Sequence, residues 1–144
     1  IAALNVKQCK MQHDQCRNTP QFRTSGQNLG FRASTGSFEG ISSLINNIVW
    51  AGYNEIEVTK PSDVESCCGS NLSKTGHFLQ ILQDQSSFIG CAASRYTNGP
   101  WKTILLACNY SFSNYLLRPV YVSGAPASQC GSKGKNSKFT ALCN

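Results

Sequence analysis

The stretch SFIGCAASRYTNGPWKTILLACNYSF (residues 87–112) decides the fold. It contains two runs rich in Ile, Leu, Phe and Tyr, 87–96 and 102–112, joined by a turn-forming segment, which is typical of paired antiparallel strands. A hairpin centred on its Gly-Pro turn places Cys91 directly opposite Cys108, within reach of a disulfide bond. On the chain-entropy model, closing that loop would stabilise the fold by about 3 kcal/mol. Two unrelated buried thiols are the weaker interpretation.

The segments around the hairpin predict the remaining elements. HFLQILQ (77–83) predicts another strand, and residues 1–12 predict a helix that ends close to His13. The polar, Gly-rich segment 14–36 is expected to be mostly loop, and a Lys-Pro-Ser turn is expected at 60–62. Antiparallel strands with amphipathic helices indicate an α+β domain whose helices cover the sheet.

The segment FEGISSLINNIVWAGYNEIE (38–57) predicts the clearest helix, because its apolar residues recur every three or four positions. The helical period places Glu55 on the apolar stripe, one heptad after Ile48, with Glu39 and Glu57 on the opposite face. A carboxylate that faces a core needs a partner. Helical geometry leaves open whether Glu55 has such a partner or reaches water at the helix end.

Composition indicates an oxidised, secreted domain. The 144 residues include eight cysteines, without the two CxxC pairs of a zinc ribbon, and the even number favours disulfides. Cys130 and Cys143 bracket the polar end of an extended tail, and a local bridge is the simplest pairing. No apolar run approaches the roughly 20 residues of a membrane span.

The charge of +6 is partly carried by GSKGKNSK (131–138), which favours a solvated tail; the alternative is a weak attraction to anionic glycans or membrane surfaces. No basic helix or aromatic-arginine platform indicates nucleic-acid binding. The first residues, without Met, basic leader or helix cap, lead us to expect a processed or truncated chain.

Candidate chemistry centres on the two histidines. With the inward-facing acid Glu55, His13 and His77 form the minimum set that could hold a zinc-like ion. No G-x-S-x-G motif indicates a serine hydrolase, although a triad using one of the histidines stays open.

Several motifs together resemble one family. GHFLQ, GCAASRY, LLACNYS and PVYVSGAPASQC, preceded by QCKMQHDQCRNTPQF and SGQNLGF, are similar to segments of the CAP superfamily, which comprises the cysteine-rich secretory, antigen 5 and pathogenesis-related proteins. The order is the family's order along the whole chain, and the ending ASQCGSKGKNSKFTALC resembles dipteran antigen 5-like proteins.

The resemblance implies a secreted, disulfide-bonded three-layer α–β–α sandwich. It implies a CAP domain over residues 1–122 that lacks its N-terminal helix, and a disulfide-closed extension over 123–144. It also implies a cleft able in some members to bind a divalent metal such as zinc, at positions that correspond here to His13, Gln27, Glu55 and His77.

Two departures from the family pattern affect this cleft. Gln27 stands where many relatives have an acid, and a neutral amide is a weaker metal ligand. A hydrogen-bonded cluster that joins loops to a helix is therefore at least as consistent with the residues. Gly52 stands where the family has a tryptophan, three residues before Glu55.

The resemblance also bears on the other cysteines and on glycosylation. In relatives, Cys9 and Cys16 bridge to a region upstream of residue 1; here their partners are absent or replaced by the vicinal pair Cys67 and Cys68. Of the two Asn-x-Ser sequons, the one at Asn71 lies in a predicted loop and is the candidate glycosylation site, whereas the one at 109 lies in a predicted strand.

The leading functional hypothesis is a non-enzymatic binding protein of the insect antigen 5 type. The resemblance implies capture of small hydrophobic ligands such as sterols, fatty acids or eicosanoids, with salivary, antihaemostatic or allergenic roles. The alternatives are a metal-dependent hydrolase that uses His13, His77 and Glu55, and an effector whose basic surface binds glycans or host proteins.

Overall fold

The computed structural model of the chain describes residues 1–37 and 40–144. Three strands form an antiparallel sheet of order β1-β3-β2: β1 (Gly26–Ser34), β2 (Ile89–Asn98) and β3 (Trp101–Tyr110). Within the described ranges four α-helices accompany it: α1 (Ala2–Val6), α2 (Ile41–Tyr53), α3 (Pro61–Glu65) and α4 (Leu72–Leu82). A 3-10 helix, Asn54–Val58, continues α2, and a second one, Gly131–Lys133, lies in the tail.

The alternating direction of the side chains along β1 shows which helices cover each face of the sheet. Leu29 packs with Val6 of α1, whereas a side chain added at Gly30 would meet Ile48 of α2. Because neighbouring strand residues point to opposite faces, α1 covers one face and α2 the other. α4 packs beside α2 and also contacts β1. The predicted α–β–α sandwich is confirmed.

The hairpin has the predicted register. β2 pairs antiparallel with β3, Asn98 faces Trp101 across the turn, and Cys91 faces Cys108, to which it is disulfide-bonded. The turn needs Gly99, whose φ of 57° lies in the left-handed region. Local chain geometry was sufficient to predict this part of the sheet.

The strand predicted at 77–83 is wrong, because residues 77–82 lie in α4 and Gln83 caps its end. The helix buries Thr75, Phe78 and Leu79, and Leu82 packs against the same side, which is the three- and four-residue spacing of one helical face. Burial along that face outweighs the local preference of Phe and Ile for strands. His77 therefore lies inside a helix and does not begin a strand.

The loop predicted for 14–36 is also wrong over its second half, which forms β1. All nine residues of β1 pair with β3 in an unbroken register, from Gly26 opposite Tyr110 to Ser34 opposite Lys102. The glycines and amides indicate a loop by composition. Glycine is instead needed at 26 and 30, where α4 and α2 side chains lie against the strand.

Two helix predictions and one turn prediction needed correction. α1 ends at Val6, before Cys9 adopts a φ of 53°, so the predicted helix to residue 12 is too long and His13 lies well beyond it. The helix predicted at 38–57 is confirmed over Ile41–Tyr53, and residues 54–57 lie in the 3-10 helix that follows; Phe38 and Glu39 are outside the described residues. The expected turn at 60–62 begins α3.

The remaining cysteines divide into bonded and free pairs. Cys130 is bonded to Cys143, as predicted, whereas Cys67 and Cys68 are bonded to each other. Cys9 and Cys16 are free and exposed, so the alternative in which the vicinal pair bridges to them is wrong. Cys67 is fully buried in a second core with Leu79 and Val120. No helix in the described ranges is long and apolar enough to cross a bilayer.

Candidate functional site

Glu55 joins the 3-10 helix after α2 to α4 through its carboxylate. The acid lies in the 3-10 helix after α2, and its side chain is 17% exposed. One oxygen accepts hydrogen bonds from the backbone N–H groups of His77 and Phe78, at 2.9 and 3.0 Å. The other lies 2.6 Å from Nδ1 of His77. The predicted inward orientation of Glu55 is confirmed, and its partners are now identified.

His77 connects α4 to the sheet. Its Nε2 lies 3.0 Å from the carbonyl oxygen of Leu29 in β1, and its own carbonyl accepts a hydrogen bond from the Asn28 amide. We call this arrangement of Glu55, His77 and the Leu29 carbonyl the Glu55–His77 clasp. It fastens α4 both to the end of α2 and to β1.

Both ring nitrogens of His77 face acceptors, a carboxylate and a backbone carbonyl. Both hydrogen bonds can form together only when the ring carries two protons. Each ring nitrogen thus already has an oxygen neighbour within hydrogen-bond distance, and neither faces an open position for a metal ion.

Gly52 explains how the helices come close enough for the clasp. A Cβ atom at this position would lie 3.1 Å from Cβ of His77, closer than ordinary side-chain contacts. The departure from the family pattern noted at Gly52 thus lies directly against His77.

Gln27 is the centre of a second network, made of His13, Asp14, Gln27 and Asn109. Its side-chain oxygen lies 2.9 Å from Nδ1 of His13 and accepts the backbone N–H of Asp14 at 3.2 Å. Its amide nitrogen donates to the Asp14 carboxylate at 2.8 Å and to Asn109 Oδ1 at 3.3 Å. We call these four residues the Gln27 network.

The partners of Gln27 explain why an amide suits this position. The backbone N–H of Asp14 can only donate and its carboxylate accepts, so the side chain between them must offer both an oxygen and an N–H. A glutamate at 27 would lose the donor and face the Asp14 carboxylate. Asp14, which sequence reasoning missed, supplies the acid of this network.

The four family positions thus form two pairs. Gln27 points to the sheet face that carries α1, since it shares that face with Leu29, whereas His77 belongs to α4 on the opposite face. Nowhere in residues 1–37 and 40–144 do three His, Cys, Asp or Glu side chains gather to hold a metal ion. The residues present do not fit a zinc ion held jointly by His13, Glu55 and His77.

A small apolar cavity of about 40 Å³ lies beside His77, between α2, α4 and the sheet. Its lining includes Ile48, Leu106 and Tyr110. Burial raises the pKa of Tyr110, whose hydroxyl accepts a hydrogen bond from Asn28. The cavity has space for water but not for an organic ligand.

A larger groove of about 470 Å³ opens on the α1 face. It lies between α1, the loop 17–25, the start of β2 and the end of β3. We call it the ligand groove; its main lining residues are Arg17, Phe22, Phe88, Ile89, Gly90 and Asn109. Sequence reasoning missed it because it joins segments that are distant in sequence, such as those of Phe22 and Phe88, which are 66 positions apart.

The sequon at Asn71 lies at the start of α4. The Asn71 side-chain nitrogen, which would carry a glycan, donates to the Asp63 carboxylate at 2.9 Å and to the Val58 carbonyl at 3.3 Å. Hydrogen bonds from the Lys60 backbone N–H and from Asn71 hold the pKa of Asp63 below its usual value. Glycosylation of Asn71 stays a prediction, and it would have to displace these contacts.

Comparisons with known proteins identify the family. A model of the cysteine-rich secretory protein family (CAP) matches residues 1–110. "Venom allergen-1" of Aedes aegypti is 34% identical over 145 residues, covering all of this chain and 56% of that protein. "Venom allergen 5 2" of Polybia paulista is 36% identical over 123 residues, covering 84% of this chain and 56% of that protein. The chain thus spans a little over half the length of these relatives.

Solved structures agree on the fold. The crystal structure of "NaASP2 with Zn2+" superposes with a TM-score of 0.78 at 23% identity, covering 99% of this chain and 70% of that one. BmVAL-1 superposes with a TM-score of 0.68 at 24% identity, with the same coverage. The sandwich, the matched motifs and these relatives together show that the chain belongs to the CAP family of cysteine-rich secretory proteins.

Proposed function

We propose that the protein is a secreted, non-enzymatic binding protein of the venom allergen and antigen 5 type, which captures small hydrophobic ligands. The names of its relatives support an allergenic role, and sequestration of lipid mediators would suit an antihaemostatic one. Three disulfides support an extracellular location. The observation that carries the ligand proposal is the ligand groove.

The ligand groove has the size and the apolar walls that a small hydrophobic molecule needs. Its 470 Å³ falls within the range typical of ligand sites. Phe22 and Phe88 both line it and contact each other with ring centroids 5.7 Å apart, and Phe88 and Ile89 are 62% and 59% exposed. A bound apolar ligand would remove this surface from water.

Two polar groups in the ligand groove favour a ligand with an acidic or other oxygen-bearing end. The Asn109 side-chain nitrogen is buried and has no hydrogen-bond partner among residues 1–37 and 40–144. Arg17 is held in place by hydrogen bonds to the carbonyls of Ser25 and Asp14, so its positive charge is already oriented. Among the candidate ligands, fatty acids and eicosanoids carry the carboxylate that these groups would bind.

Filling the groove tests this proposal. Gly90 faces the groove opposite Asn109, and a Cβ added there meets nothing within 4 Å, so Gly90→Phe should occupy the groove without disturbing the fold. Gly69→Phe is the matched control, since Gly69 has the same open surroundings outside the groove. We expect native mass spectrometry with oleate and arachidonate to show adducts on wild type and Gly69→Phe, and a loss of at least about tenfold in Gly90→Phe. Equal adducts on all three proteins would refute the groove as the site.

The non-enzymatic proposal is supported by the state of the histidines. Both ring nitrogens of His77 are used in the Glu55–His77 clasp, and His13 pairs with an amide, so neither is paired with a nucleophile. The rival metal-dependent hydrolase predicts turnover that zinc stimulates and that His77→Ala abolishes. We expect no zinc-stimulated hydrolysis of ester or peptide substrates, and such turnover would overturn the proposal.

A further inference from the structure

We propose that the disulfide-closed loop of residues 130–143 docks the protein on membranes that contain anionic phospholipid. This inference goes beyond capture of a small ligand and concerns a separate part of the chain. We call residues 130–143 the basic loop.

The basic loop has a defined shape that comes from its own contacts. Besides the disulfide, Lys135 pairs with Cys143 in an isolated bridge, and the Asn136 backbone N–H donates to the Leu142 carbonyl. The Asn136 side chain accepts the N–H groups of Lys138 and Phe139. The amide of the next residue, Asn144, donates to carbonyls at 133 and 135. The loop's exposed side chains are therefore presented on an ordered backbone.

The side chains on the basic loop combine positive charge with apolar surface. Lys133, Lys135 and Lys138 are exposed, and Phe139 and Leu142 are 56% and 59% exposed. The Lys138 ammonium lies 5.3 Å from the centre of the Phe139 ring. Lysines beside exposed aromatic and aliphatic side chains are the composition that lies at the interface of an anionic bilayer.

Charge distinguishes this partner from a second copy of the chain. Residues 113–144 contain one arginine and three lysines and no acidic residue, and the whole chain carries +6. Two copies apposed through this region would bring like charges together. A sulfated polysaccharide would satisfy the lysines but leave Phe139 and Leu142 without a role. An anionic bilayer satisfies both kinds of side chain.

Vesicle flotation with defined variants tests the proposal. The probe is vesicles of phosphatidylcholine with about one-quarter phosphatidylserine, compared with pure phosphatidylcholine, at low and physiological salt. The charge variant is Lys133→Ala/Lys135→Ala/Lys138→Ala, and the apolar variant is Phe139→Ala/Leu142→Ala. The matched control, Lys7→Ala/Lys10→Ala/Lys102→Ala, removes the same charge from exposed lysines elsewhere. Mapping of the Cys130–Cys143 bond verifies that each variant keeps its loop.

We expect wild type and control to bind phosphatidylserine vesicles, and both loop variants to lose at least about tenfold in partitioning. Three results would overturn the proposal. They are no binding to these vesicles, an equal loss in the control, and retention on a heparin column that depends on the lysines but not on Phe139 and Leu142. The last result would assign the loop to sulfated glycans.

Discussion

The two histidines of the chain have side-chain partners of different charge. His77 is held between a carboxylate and a backbone carbonyl in the Glu55–His77 clasp, whereas His13 pairs with the neutral amide of Gln27. The first network fastens two helices to the sheet, and the second fastens a loop to it. Residues that occupy corresponding family positions therefore serve packing on both faces of the sheet, and the ligand groove shares Asn109 with the Gln27 network on the α1 face.

The largest effect should come from removing the charged centre of the clasp. Glu55→Ala leaves two N–H groups and the His77 ring without their acceptor, and we expect it to lower the free energy of unfolding by about 3 kcal/mol. Urea denaturation measures this. Glu55→Gln is the matched variant; it keeps an oxygen for the N–H groups and should lose clearly less. An unchanged stability in Glu55→Ala would mean that the clasp is not structural.

In the Gln27 network, by contrast, adding a negative charge should destabilise the fold. Gln27→Glu places a carboxylate against Asp14 and removes a donor, so we expect a loss of about 2 kcal/mol at neutral pH. The double variant Gln27→Glu/Asp14→Asn removes the repulsion and should recover part of that loss. Both are measured by urea denaturation. A Gln27→Glu protein as stable as wild type would contradict the assignment of Asp14 as the acid of this network.

The close approach of α2 to β1, which places Glu55 near His77, should be sensitive to a single methyl group. Gly30→Ala would meet Cγ2 of Ile48, a branched side chain with little freedom to move, and we expect a loss of about 1–2 kcal/mol. Gly90→Ala is the control in the same sheet, because its Cβ meets nothing, and its stability should not fall. Thermal unfolding of the two variants compares them; equal melting temperatures would argue against tight packing on the α2 face.

The half-buried Asp63 carboxylate should have the smallest effect on stability, and that effect should be lost in acid. Because hydrogen bonds lower the pKa of Asp63 in the folded protein, its contribution is present above its usual pKa, near 3.9, and disappears as pH falls through the lowered value. The stability difference between wild type and Asp63→Asn should therefore be constant from about pH 5 to 8 and shrink below about pH 4. A difference that grows in acid would contradict the direction of this shift.

Local rules predicted the parts of the molecule that depend on neighbours in sequence. The register of the hairpin follows from a two-residue turn, and with it the Cys91–Cys108 bond. The inward orientation of the Glu55 side chain follows from the helical period. The family resemblance supplied the sandwich. These conclusions needed no knowledge of how distant segments pack.

Packing between segments that are distant in sequence determined the elements and contacts that were not predicted. β1 is held as a strand by β3, about 75 positions away, and not by its own glycines and amides. α4 is helical because the core lies along one of its sides, and Asp14 acts through Gln27 across 13 positions. The partners of an amide or a histidine depend on such packing, so the split into two networks could not be predicted.

The central claim is that His77 is a structural residue of the clasp and not a metal ligand. The most direct test is a titration with zinc chloride in which NMR monitors the carbon-bound ring protons of the two histidines. We expect the His77 signals to stay in place up to millimolar zinc, with any change confined to the exposed ring of His13. Saturable shifts of the His77 signals, lost together with zinc binding in Glu55→Gln, would contradict the claim.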